Sequence, residues 1–90
     1  MDLVEQEKRI LSKLKSEREK QRLSQLELSY RSGVSQNMIA YIESGKRMPT
    51  LSTILKLCNA LNINPSVLFS DNETEKLIIK EKIAELLNRL

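Results

Sequence analysis

The sequence has no histidine, no tryptophan, a single cysteine at Cys58, and only two glycines and two prolines. Each shortage removes a class of chemistry. Without His, and with one Cys, an ordinary zinc site has no ligand set, so no metal is expected. One Cys also excludes an internal disulfide and suits a reducing compartment. In the local sequence LKLCNALN, Lys56 is the only basic activator in reach, so Cys58 reads as a small buried hydrophobe rather than a nucleophile. Two isolated glycines build no phosphate-cradling loop, and Glu17 with Glu19, like Glu73 with Glu75, read as solvated helix charges rather than paired acids. No nucleophile has its base. The expected protein is not an enzyme and takes no cofactor. The start, MDLVEQEKRI, is charged and lacks the apolar stretch of a signal peptide, and no run has the length needed to cross a bilayer. A soluble, cytoplasmic protein with no membrane partner is expected.

What is present begins with size and charge. Ninety residues allow one small domain, compact and mostly helical if it is to hold without disulfides or metal. The net charge is only +3, but residues 8–56 hold eleven Lys or Arg against four acids, while the flanks are mildly acidic. A basic block suits a domain presenting one face to a polyanion; a solvated helical surface gives a similar bias.

The stretch QLELSYRSGVSQNMIAYIE, Gln25 to Glu43, reads as two short helices joined by a tight turn. Leu28 lies on an apolar face, Gly33 stops the first helix, and Val34, Met38, Ile39 and Ile42 face inward on the second. Helices crossing steeply need a small side chain where their backbones approach, filled by Ser29, and a residue tolerating positive φ at the corner, filled by Gly33. This is a helix-turn-helix pattern. Around it, a first helix is expected from about Leu3 to Gln21, with Ile10, Leu14 and Arg18 on one face. Ser24 and Glu27 form a capping box for the second helix. Ser35 caps the third, from about Gln36 to Ser44. Gly45 and Pro49 end it in a basic loop. Thr50 caps a fourth helix, to Leu61, with Leu51, Ile54, Leu55, Leu57, Cys58 and Leu61 as core. Asn64 and Pro65 open a short fifth helix in which Val67, Leu68 and Phe69 pack beneath.

Arg18, Ser24-Gln25, Leu28, Gly33-Val34-Ser35, Ile39, Ile42-Glu43-Ser44-Gly45, Pro49, Leu55, Leu57, Ala60-Leu61 and Leu68 together resemble the Cro and phage-repressor class of helix-turn-helix regulators, the XRE family. The pattern covers roughly residues 10 to 69 and is far more specific than a lone helix-turn-helix. It departs from the family at Ser29, where Ala is usual, at Cys58, and at Arg22 and Asn62, where Gly is common. The resemblance implies an all-α fold: a five-helix, lambda-repressor-like DNA-binding domain over residues 1–70, followed by a C-terminal amphipathic helix over 71–90. It implies an ion pair between Arg18 and Glu43, since an Arg continuing an apolar stripe needs a partner; the alternative is two exposed side chains worth little. It also implies a DNA-backbone contact from Gln25, at the positive end of the second helix, where the bland reading is a side chain fraying into solvent.

The outer face of the third helix carries Gln36, Asn37, Ala40 and Tyr41. Side-chain amides can pair with adenine in the major groove, and Ala40 with the Tyr41 ring offers apolar surface to a thymine methyl, so these four are expected to read bases. Gln25, Ser35, Ser44, Lys46 and Arg47 are expected to hold the backbone, although Lys46 and Arg47 also complement a helix C-terminus.

From Glu73 to Leu90 the spacing of Ile79, Ile83, Leu86 and Leu90 makes an a/d-like seam that Leu77, Ile78 and Leu87 widen. It is too short for a free coiled coil. With the five-helix domain already complete at Phe69, Ile79, Ile83, Leu86, Leu87 and Leu90 are expected to form a homodimer interface. The expected function is a sequence-specific transcriptional regulator, a repressor that binds a palindromic operator in double-stranded DNA as a homodimer. The rival is a protein-interaction module whose C-terminal helix docks on a protein partner. Similar small family members act as phage or mobile-element repressors, as controllers of restriction-modification genes and as antitoxins, and the sequence does not choose among them.

Overall fold

The computed structural model describes residues 2–70 and 82–88. Every regular element among them is helical: α1 (Leu3–Lys20), α2 (Gln25–Ser32), α3 (Gln36–Glu43), α4 (Leu51–Leu61) and α5 (Ser66–Phe69), with a further helical stretch at 82–88. The starts are set by side chains that satisfy first-turn amides lacking an intrahelical acceptor. Asp2 accepts from the Glu5 amide at 2.8 Å. Ser24 accepts from the Glu27 amide at 3.0 Å while Glu27 accepts from the Ser24 amide at 3.4 Å, completing the capping box. Ser35 accepts from the Met38 amide at 3.1 Å and Thr50 from the Thr53 amide at 3.2 Å. Asn64 accepts from the Ser66 amide at 2.9 Å, so Pro65 stands just before α5 and its missing N–H costs nothing.

Two helix ends fall on glycine in the left-handed region, Gly33 at φ 75° and Gly45 at φ 77°. Two others reach that region without glycine, Arg22 at φ 57° and Asn62 at φ 55°. There the Leu23 amide returns to the Arg18 carbonyl at 3.2 Å and the Ile63 amide to the Cys58 carbonyl at 3.0 Å, each closing a helix end. Asn tolerates this conformation; Arg22 holds it at a strain of about 1–2 kcal/mol.

The core is one cluster that includes Leu11, Leu14, Leu23, Leu28, Ile39, Ile42, Ile54, Leu57, Leu61 and Leu68. Each such side chain contributes about 1.5–3 kcal/mol relative to leaving it in water. Helix α1 packs against α3, α4 and α5, and α2 packs against α3 and α4. The scaffold thereby fixes α2 and α3 as a pair.

Several packing expectations change. In α1, Leu11 rather than Ile10 joins Leu14 and Arg18 inside, and Ile10 sits at the margin of the core. Leu51, Leu55 and Phe69 were expected inside but stand 67%, 40% and 61% exposed. At 100° per residue, Leu55 points roughly 110° from the centre of the stripe formed by Ile54, Leu57, Cys58 and Leu61, and Leu51 roughly 70° from it. Four inward positions already fill the space beneath α4. In α5, a single turn turns only Leu68 fully inward.

In the expected C-terminal helix, residues 82–88 are helical with every side chain exposed. Ile83, Leu86 and Leu87 belong to that stretch; Leu77, Ile78, Ile79 and Leu90 lie outside the described residues, as do Glu73 and Glu75. Among the described residues no helix is long and apolar enough to cross a membrane, and no group of three His, Cys, Asp or Glu is placed to hold a metal.

Candidate nucleic-acid interface

The interface is built outward from a buried ion pair. Arg18, at the end of α1, is 8% exposed. Its Nε donates to Glu43 Oε2 at 2.8 Å and its Nη2 to Glu43 Oε1 at 2.7 Å, a two-point fork that fixes the angle as well as the distance between the groups. The remaining Nη1 donates to the Leu23 carbonyl at 2.6 Å. The Glu43 hydrogen bond, supported by its negative charge, raises the Arg18 pKa above its ordinary value against the opposing effect of burial. The guanidinium is therefore charged at any working pH. Because Glu43 is the last residue of α3, the pair ties α3 to α1.

Gln25 joins this network. Its Nε2 donates to Glu43 Oε1 at 3.3 Å, and the side chain is half-buried rather than frayed into solvent. This contact was not expected from the sequence, where the residue was assigned to DNA. The Nε2 group carries a second hydrogen, and the first-turn amides of α2 lack intrahelical acceptors, so the start of α2 still presents donors to an anion. A second unforeseen tie joins the far ends of α1 and α4, where Gln21 Nε2 donates to the Leu61 carbonyl at 2.6 Å. Both ties come from amides whose partners lie far away in sequence, which leaves no local signal.

Helix α3 turns Ile39 and Ile42 into the core, with Met38 half-buried beside them. Geometry then forces Gln36, Asn37 and Tyr41 outward, and all three are exposed; Ala40 is half-buried between them. The four assigned base readers thus share one uncharged outer surface. Ser35 is exposed, and its oxygen is engaged as the α3 cap. Ser44 donates its hydroxyl to the Tyr41 carbonyl at 3.1 Å, which leaves it lone pairs but no proton for a phosphate.

The loop after α3 is shaped by its own backbone. Gly45 in the left-handed region lets the Lys46 amide reach the Tyr41 carbonyl at 2.9 Å and the Arg47 amide the same oxygen at 3.3 Å. Both side chains are exposed beside α3, and the Arg47 guanidinium lies over the Tyr41 ring, 6.0 Å from its centroid. That cation–π contact links a residue assigned to bases with one assigned to phosphate. A polar recognition surface, a cationic loop at one end and helix-start amides at the other make a surface that can take up a polyanion and hydrogen-bond to base edges.

Comparison with known proteins agrees with this geometry. A family pattern described as helix-turn-helix matches residues 14–68, which spans α2 and α3 with their supporting helices. An uncharacterized HTH-type transcriptional regulator, y4dL, from Sinorhizobium fredii is 41% identical over 54 residues, 60% of this chain. The match spans 28% of that curated relative's length. In three dimensions the chain is similar to the crystal structure of the restriction-modification controller protein C.AhdI from Aeromonas hydrophila, with a TM-score of 0.64 and 35% identity over 67% of this chain and 91% of that one. A match over more than half the chain, with the fold and the α2–α3 geometry to go with it, places this protein in the XRE-type helix-turn-helix family of DNA-binding transcriptional regulators.

Proposed function

We propose that the protein is a repressor that binds an inverted-repeat operator in double-stranded DNA as a homodimer. The observation that carries this reading is the uncharged, exposed face of α3, backed by the buried Arg18–Glu43 fork and bordered by Lys46 and Arg47. Gln36, Asn37, Ala40 and Tyr41 read base edges in the major groove. Gln25 and its neighbouring amides, Ser35, Lys46 and Arg47 hold phosphates; Ser44 does so only if its hydroxyl turns away from the Tyr41 carbonyl. Residues 1–70 form the DNA-binding unit, and the C-terminal segment supplies the dimer contact through Ile83, Leu86 and Leu87, whose exposure in a single chain supports that role. Two recognition helices related by a two-fold axis then enter successive major grooves about 34 Å apart. The protein acts in the cytoplasm, where its DNA is.

Selection of bound sequences from a random DNA pool, with the mass of the protein measured in parallel, tests the reading. A palindromic consensus whose half-sites lie about one helical turn apart is expected. No enrichment at low salt would refute sequence-specific binding and favour the interaction-module alternative.

A further inference from the structure

On the DNA-binding reading above, we infer that Glu43 is a positioning residue for the phosphate contact of Gln25. Its carboxylate holds the Gln25 carboxamide in one orientation, and so sets the backbone contact of α2 in register with the base-reading face of α3. Glu43 itself does not touch DNA.

Glu43 Oε1 accepts twice, from Arg18 Nη2 at 2.7 Å and from Gln25 Nε2 at 3.3 Å. A carboxylate only accepts, so the amide must turn its nitrogen and not its oxygen toward Glu43. The two N–H bonds of a planar carboxamide diverge, and with one of them on Glu43 the direction of the other is set. A phosphate also only accepts, and it takes up that second N–H. The Ser24 cap engages the Glu27 amide, whereas the Gln25 and Leu26 amides of the same turn have no acceptor among the described residues. One side-chain N–H and two backbone N–H groups therefore serve one anion.

A carboxylate next to a phosphate site is a liability unless its charge is cancelled. Arg18 cancels it through the two-point fork, and the Glu43 side chain is only 6% exposed. What reaches the surface is the half-buried, uncharged amide of Gln25, fixed from behind. Three helices meet in this chain of contacts: Arg18 on α1, Glu43 at the end of α3 and Gln25 at the start of α2. The helix that carries Gln36, Asn37 and Tyr41 thereby decides where the Gln25 amide stands, so a phosphate bound there reports the placement of α3 in the groove.

The test uses the full chain and a duplex recovered by the selection described above, with each backbone phosphate of one half-site replaced in turn by an uncharged methylphosphonate. Gln25→Ala is expected to weaken binding to the intact duplex about ten- to hundredfold, the size of one hydrogen bond to a charged group, and to cost little once one particular phosphate is replaced. That phosphate is the partner of Gln25. Glu43→Gln is expected to weaken binding too, although it removes a negative charge and electrostatics alone would tighten it. Its loss is expected to shrink at the same phosphate and at no other, and Gln25→Ala added to it is expected to cost nothing further. Circular dichroism checks the fold. Since Glu43→Gln leaves Arg18 unpaired, Arg18→Met with Glu43→Met, which buries no charge, is the second variant and is expected to show the same local loss. Unchanged or tighter binding by these variants, or a loss that is the same whichever phosphate is replaced, overturns the positioning role while Gln25 keeps its contact. A Gln25→Ala protein that binds the intact duplex as well as the unaltered chain removes the phosphate contact itself, and the positioning role with it. Failure to recover any duplex removes the DNA-binding reading.

Discussion

Removing the Arg18 side chain is the sharpest test of how this domain holds its recognition helix. Arg18→Ala deletes two hydrogen bonds to Glu43 and one to the Leu23 carbonyl. It leaves a carboxylate whose side chain is only 6% exposed, with the 3.3 Å contact from Gln25 as its remaining partner in the network. Breaking a buried pair from one side costs about 3–5 kcal/mol, because the surviving charge stays desolvated. A domain of this size has a total stability of about 5–10 kcal/mol, so the variant is expected to lose roughly half of it. The assay is urea unfolding followed by far-ultraviolet circular dichroism, on Arg18→Ala, Glu43→Ala and the double variant. The double variant is expected to be little worse than either single one, because it leaves no orphaned charge. A loss under about 1 kcal/mol for Arg18→Ala, the size of an exposed pair, would refute the reasoning, as would single effects that simply add.

Four further outcomes are expected. Gln36→Ala with Asn37→Ala is expected to erase operator preference, about 1–3 kcal/mol for each base-reading pair lost, while nonspecific binding keeps its salt dependence; competition binding against unrelated DNA measures this. Lys46→Ala and Arg47→Ala are each expected to flatten the slope of log affinity against log salt by about 0.9, and Tyr41→Ala is expected to weaken the Arg47 contribution more than Tyr41→Phe, which keeps the ring beneath the guanidinium. Arg22→Gly is expected to raise stability by about 0.5–1 kcal/mol in the same urea assay, because the left-handed backbone there no longer strains a side chain. Cys58 is fully buried, and burial pushes its thiol pKa up, so a thiol-exchange reagent is expected to label it only through unfolding. The same upward shift means that stability is unaffected by this group below the pKa of an unfolded thiol, about 8.5, and declines as pH rises from there toward the folded value; Cys58→Ala removes that decline.

Much of this protein was legible in local sequence because its determinants are local. Ser24, Ser35 and Thr50 cap helices through amides three residues away, Gly33 and Gly45 take a conformation that their missing Cβ permits, and the spacing of Leu28, Ile39, Ile42, Leu57 and Leu61 repeats with the helical turn. Those signals give the five helices from Leu3 to Phe69, their bounds to within a residue or so, and the outward direction of Gln36, Asn37 and Tyr41. The Arg18–Glu43 pair was also readable, through a charged residue on an apolar stripe and the family pattern. Tertiary structure decided the rest. Burial depends on where neighbouring helices run out, so Leu51 and Phe69 stay open to solvent, while Leu55 points away from the inward stripe of α4 and Leu11 displaces Ile10 from the inside of α1. Long-range partners leave no trace in local spacing, which is why Gln25 on Glu43 and Gln21 on the Leu61 carbonyl emerged only from the folded chain. The sequence alone determined which residues form helices and which side chains of α3 face outward, because capping and periodicity act over a single turn. Only the packing of one helix on another decided which amides are held, which apolar side chains remain open, and how firmly the recognition helix is braced.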